Sequence, residues 1–118
     1  MPHLIIEYSA NLTGFDPAST LAGCNGFLAN SGEFSEADIK SRAVRHEHFA
    51  VGTAVAGRGF VHATLWLLSG RPEAGKQVLS RGLLAVLEET FRKPEGLDVQ
   101  LSVQVQDMDR GTYAKAFL

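Results

Sequence analysis

The chain opens Met1-Pro2-His3-Leu4-Ile5-Ile6-Glu7. Methionine aminopeptidase generally removes Met1 when the next residue is small, and proline qualifies. The product would begin with a secondary amine. An α-amino group titrates at about 7.7–8.0, which makes it the common base nearest neutrality apart from histidine. Desolvation and nearby cations would lower that value further, leaving the amine neutral and able to take a proton at pH 7. Met-Pro is also an ordinary start with no chemistry. Here, however, Pro2 runs straight into a short β-branched, apolar stretch that reads as a buried strand, so its nitrogen would sit at a sheet end.

The cations that could accompany such a base are few. Arg71, in Ser69-Gly70-Arg71-Pro72, stands just before a helix start, where a positive charge opposes the helix dipole and needs a reason to be there. It is either a plain surface residue or an anion contact. Lys40 and Arg42 are two residues apart in a strand-like stretch and so share one face. His62 lies in an apolar run and reads as a satisfied core or interface histidine, with a substrate contact as the alternative. His3 adjoins the base and would pack beside it or tune it. His46-Glu47-His48 puts two imidazoles on one strand face, but no third ligand stands nearby, so a solvated strand end is the better reading and no metal site is expected. Gly70 to Gln77 nearly fits a phosphate loop. Gln77 replaces the needed hydroxyl, Pro72 removes an N–H from the cradle and Glu73 would repel phosphate, so that reading is set aside. Cys24 falls on a helix stripe and reads as core.

The elements that must position these residues form two similar halves within one domain spanning 1–118. In the first repeat, about 2–50, a strand runs over His3–Tyr8. Asp16-Pro17 starts a helix with Leu21, Cys24 and Leu28 on its apolar stripe, Gly32 stops it, and a second strand covers Ile39 to about His46. In the second repeat, about 58–107, Gly59–Leu68 is a strong strand. Pro72 begins a helix whose apolar face is Val78, Leu79, Leu83, Val86, Leu87 and Phe91. Pro94 and Gly96 end it, and Leu97–Val105 alternates as a half-exposed strand. Asp109–Leu118 is a short tail. A helix joining two strands of one sheet makes them parallel. Two such β-α-β units predict an α/β (α+β) fold, a four-stranded sheet with both helices on one face. No third long helix is left for the other face, so oligomerisation through the sheet is expected to cover it.

Composition narrows the function classes. The 118 residues are 45% hydrophobic and 20% charged, enough apolar material for a core. Eleven Lys and Arg against thirteen Asp and Glu give a net charge of −2, without the basic excess of a nucleic-acid binder. The single cysteine excludes an internal disulfide. No apolar stretch approaches the roughly 20 residues of a membrane span. The first residues show neither a basic n-region nor a cleavage site, so a cytoplasmic protein without a signal peptide is expected.

Pro2-His3-Leu4-Ile5-Ile6-Glu7-Tyr8-Ser9 resembles the opening of the 5-carboxymethyl-2-hydroxymuconate isomerases of the tautomerase superfamily. The likeness continues through Ile39-Lys40-Ser41-Arg42, then Gly59-Phe60-Val61-His62-Ala63-Thr64-Leu65 and Gly70-Arg71, and spans essentially the whole chain. The second repeat also resembles the start of the short 4-oxalocrotonate tautomerases. The resemblance implies metal-free, cofactor-free proton transfer in a homotrimer, acting on an unsaturated 2-hydroxy di- or tricarboxylate of homoprotocatechuate breakdown. Pro2 would be the base and Arg71 would hold one carboxylate. Arg42 or Lys40 would serve a second carboxylate and the charge that builds on oxygen; relatives are expected to carry arginine at position 40 as well. Phe49 resembles an apolar wall residue of the short tautomerases. Two rivals remain open. One is another proline-based activity, a hydratase or dehalogenase, with Glu7 or His3 as the additional acid or water-activating group. The other is a small-molecule-binding module in which Met1 stays and Pro2 is ordinary.

Overall fold

The computed structural model describes residues 1–118. The chain runs through β1 (His3–Ser9), α1 (Pro17–Asn30), a 3-10 turn at Glu36–Asp38, β2 (Lys40–His46), β3 (Arg58–Leu68), α2 (Glu73–Thr90) and β4 (Asp98–Met108). The sheet order is β2-β1-β3-β4. Within each repeat the strands are parallel, as a helical crossover requires, and the two repeats join antiparallel through β1 and β3. The expected α+β architecture of two β-α-β repeats is therefore present, as a mixed sheet.

Strand alternation sorts the side chains to two faces. Leu4 and Ile6 from β1 and Val61, Ala63, Leu65 and Leu67 from β3 are buried against the helices, with Cys24 and Leu28 from α1 and Leu79, Leu83 and Leu87 from α2. Both helices share this one core and pack on each other. Gly82 makes their approach close, since a Cβ there would sit 1.9 Å from Cζ of Phe27. The buried stripe of α1 is Thr20, Cys24 and Leu28, one residue away from the expected Leu21, which is only partly buried. Thr20 tolerates burial because its hydroxyl donates to the Asp16 carbonyl at 2.9 Å. On α2 the buried residues follow a strict i, i+4 row, and Val78 falls outside it, 68% exposed.

Helix starts follow the local sequence. Asp16 caps α1 by accepting from the N–H of Ala18 at 3.1 Å. Pro72 stands at the N-cap of α2, one place earlier than expected, with no side-chain cap. Edge strand β4 has no fully buried residue, only partly buried Val99, Leu101, Val103 and Val105 on alternate positions. The sheet face away from the helices is uncovered and carries Ile5, Val44 and Trp66 among polar residues. No helix is long and apolar enough to cross a membrane.

Candidate active site

The starts of β1 and β2 and the ends of β3 and β4 meet at one end of the sheet, because β1 and β3 run antiparallel while His3 pairs with Lys40 on one side and Trp66 on the other. Pro2 lies there, fully buried. Its carbonyl accepts from the Lys40 N–H at 3.2 Å, which fixes the start of β1 against β2. The sequence positions that converge on this end are Pro2, Lys40, Arg42 and Arg71.

Gly70, at φ +112°, takes a backbone conformation that side chains rarely allow, and the next residue, Arg71, follows at the end of β3 beside the start of β1. Its guanidinium donates from Nη1 to Glu33 Oε2 at 2.7 Å and from Nη2 to the Glu33 carbonyl at 3.3 Å, and it lies over the Phe34 ring at 4.8 Å. The cation that opposes the α2 dipole is thus held by the segment after α1. Lys40 Nζ donates to the Asp38 carbonyl. Arg42 Nη1 donates to His3 Nδ1 at 3.3 Å, and His3 Nε2 faces Tyr113 Oη at 3.0 Å. Because arginine can only donate, His3 accepts at Nδ1, so the neutral ring carries its proton on Nε2 and offers it to the tyrosine.

The electrostatics favour uncharged bases here. The α-amino group of Met1 is pushed below its ordinary 8.0, chiefly by burial, then by Lys40, Lys115 and Arg71, with Asp38 opposing. Burial, Lys40 and Arg42 likewise lower His3. Lys40 acts on both the amine and His3, whereas Arg71 acts on the amine and Arg42 on His3. The Cys24 thiol, pushed up to about 11 by burial, is inert core.

Two expected site residues lie elsewhere within one chain. His62 pairs with Glu7, four positions along β1 from His3, or roughly 13 Å at the usual strand rise. It sits on the uncovered face, bonded to Ser102 Oγ at 2.7 Å and Gln104 Nε2 at 2.9 Å. Phe49 lines a cavity of about 380 Å³ at the opposite end of the sheet, with Asn11, Val51, Val55 and Leu97. Glu7, offered as a water-activating group, is engaged by His46 Nε2 at 2.9 Å, away from Pro2.

The sequence reading missed Glu33, Asp38, Tyr113 and Lys115. Glu33 and Asp38 belong to an irregular connection. Tyr113 and Lys115 belong to the tail, whose Lys115 Nζ pairs with Asp38 Oδ1 at 2.6 Å and meets Met1 Sδ at 3.1 Å. Nothing in local periodicity marks such long-range partners.

Two β-α-β repeats sharing one four-stranded mixed sheet, with both helices on one face, define a tautomerase-like fold. The chain belongs to the 5-carboxymethyl-2-hydroxymuconate isomerase family, whose sequence model matches residues 2–116. Among solved structures, a 5-carboxymethyl-2-hydroxymuconate isomerase from Deinococcus radiodurans R1 superimposes with a TM-score of 0.86 at 28% identity, covering 98% of this chain and 88% of that one. A 5-carboxymethyl-2-hydroxymuconate delta-isomerase shares the fold with a TM-score of 0.65 at 24% identity over 99% of this chain and 88% of the other. A fused 4-OT symmetric trimer shares it with a TM-score of 0.72 at 17% identity, over 97% and 91% of the two chains. A comparison with curated proteins gave no match.

Proposed function

We propose that this isomerase acts on 5-carboxymethyl-2-hydroxymuconate or a close 2-hydroxy polycarboxylate, with Pro2 as its general base once Met1 has been removed in the cytoplasm. The observation that carries this reading is the buried proline at the end of the sheet where Lys40, Arg71 and Arg42 converge. Pro2 takes the proton from the 2-hydroxyl of the dienol. The electron pair shifts through the conjugated system, the oxygen becomes a carbonyl, and the protonated amine returns its proton to a carbon farther along. Charge building on the oxygen meets Lys40, beside the amine, and Arg42, which backs His3. Arg71 orients a carboxylate by its fork, pre-set by Glu33 and Phe34.

The protein works as a homotrimer in this reading. Fused 4-OT trimers share its fold, and the uncovered sheet face offers Ile5, Val44 and Trp66 to a neighbour. A neighbouring subunit is also what would bring Phe49 and His62 to the Pro2 end, since one chain holds them apart. The test is an absorbance time course on the protein as isolated, with its intact mass measured in parallel. Turnover by a chain lacking Met1, lost in Pro2→Ala, supports the reading. Full turnover by a chain that keeps Met1 overturns it, because the proline nitrogen would then be a tertiary amide.

A further inference from the structure

The C-terminal tail is built into the Pro2 end. After Met108 the chain turns at Asp109, whose carbonyl accepts from the Tyr113 N–H at 3.1 Å and whose Oδ1 accepts from the Gly111 N–H at 3.0 Å. Arg110 fastens the turn to the residue after β3, its N–H to Ser69 Oγ at 3.2 Å and its Nε to the Ser69 carbonyl at 3.2 Å. The tail then crosses the strand starts. Tyr113 reaches His3, and Lys115 reaches Asp38 on the far side, next to β2. Beneath it lies a cavity of about 360 Å³ lined by His3, Ala37, Lys40, Tyr113, Lys115 and Phe117. The Lys115 side chain is 22% exposed, and its ammonium also faces the Phe117 ring at 4.6 Å and Met1 Sδ.

Of the four cationic side chains Lys40, Arg42, Arg71 and Lys115, only two are paired with a carboxylate, Arg71 with Glu33 and Lys115 with Asp38. Lys40 bonds to a backbone carbonyl and Arg42 to His3. Asp38 accepts only one of the three ammonium donors of Lys115. A second is spent on Met1 Sδ, a weak acceptor that leaves with Met1. A third carboxylate on the substrate would find its partner there.

We infer that Lys115 is a specificity-determining cation, presented by the tail to a carboxylate beyond those held by Arg71 and by Lys40 or Arg42, so that the site prefers three carboxylates over two. This rests on the reading of the Pro2 end as the substrate site, but not on Pro2 being the base. Asp38 positions Lys115, and the Asp109 turn positions the tail.

The test is calorimetric binding of two unreactive probes, propane-1,2,3-tricarboxylate and glutarate, to the whole protein, with thermal melting to verify folding. It needs no turnover, so it stays readable if the proton-transfer assignment fails. The wild type is expected to bind the three-carboxylate probe about ten-fold more tightly than the two-carboxylate one. Lys115→Gln should erase that difference with little effect on glutarate, and Lys115→Arg should keep most of it. Should Lys115→Gln fold poorly, Asp38→Asn, which leaves the ammonium charged but unheld, is expected to reduce the preference part of the way. A wild type without preference, an undiminished preference in Lys115→Gln or in Asp38→Asn, or an equal weakening of both probes overturns the inference.

Discussion

The two β-α-β repeats share a backbone frame and differ in what stands on it. Their ladders end alike. Ser9 pairs with His46 before Ala10 N–H bonds to the His46 carbonyl, and Leu68 pairs with Met108 before Ser69 N–H bonds to the Met108 carbonyl. Aligned on those ends, His3 corresponds to His62, Lys40 to Ser102, Arg42 to Gln104 and Arg71 to Leu12 in the other loop. Pro2 corresponds to Val61. In the first repeat the histidine faces a guanidinium; in the second it bonds to a hydroxyl and an amide. β3 also begins four residues before the point that matches the start of β1, so no chain end arises there and Val61 is simply core. The frame alone therefore makes no site. In the proposed reading the first repeat differs by Pro2 ahead of β1 and by Lys40 and Arg42 on the neighbouring strand. The antiparallel β1–β3 pairing then lets the second repeat lend Arg71 to the first.

That contrast can be broken in order of size. Pro2→Ala should lower turnover by about 10²–10⁴, the usual share of a positioned acid–base group, measured as kcat on the chain freed of Met1. Leu12→Ala, at the position matching Arg71, should cost about 2–4 kcal/mol of stability in denaturant unfolding and leave kcat of the folded protein unchanged, because Leu12 is 3% exposed and belongs to the core. Arg71→Ala should do the reverse. It should reduce kcat/KM by about 10–100-fold, mostly through KM, for loss of a charge-assisted contact, with little change in melting. Equal behaviour of the Leu12 and Arg71 variants would erase the distinction between the repeats.

Much of the frame is legible in the sequence. Short apolar, β-branched runs mark β1 and β3, alternation marks β4, Asp16-Pro17 and Pro72-Glu73 mark the helix starts, and the repeated order predicts the sheet. The phase of α1 was misjudged because Thr20 can be buried when its hydroxyl returns to the helix backbone, which hydrophobicity does not encode. At the site, Pro2, Lys40, Arg42 and Arg71 could be named from residue type and family likeness. Glu33, Asp38, Tyr113 and Lys115 could not, since each acts through a partner far away in the chain: 38 residues separate Arg71 from Glu33 and 77 separate Lys115 from Asp38. Such contacts depend on the antiparallel joining of the repeats and on the Asp109 turn.

The central claim concerns the ionisation of one nitrogen, and nitrogen NMR of the protein with labelled proline, read beside the pH dependence of kcat/KM, tests it directly. Burial, then Lys40, Lys115 and Arg71, with Asp38 opposing, lowers the Met1 amine below 8.0. A Pro2 amine freed by loss of Met1 would sit one residue away among the same groups, so its base form is expected to accumulate as pH rises through a similarly lowered value. The account predicts that the Pro2 amine titrates below 8.0 and that kcat/KM climbs with pH along the same curve to a plateau. An amine titrating at or above its ordinary value, or a rate indifferent to its titration, would contradict it.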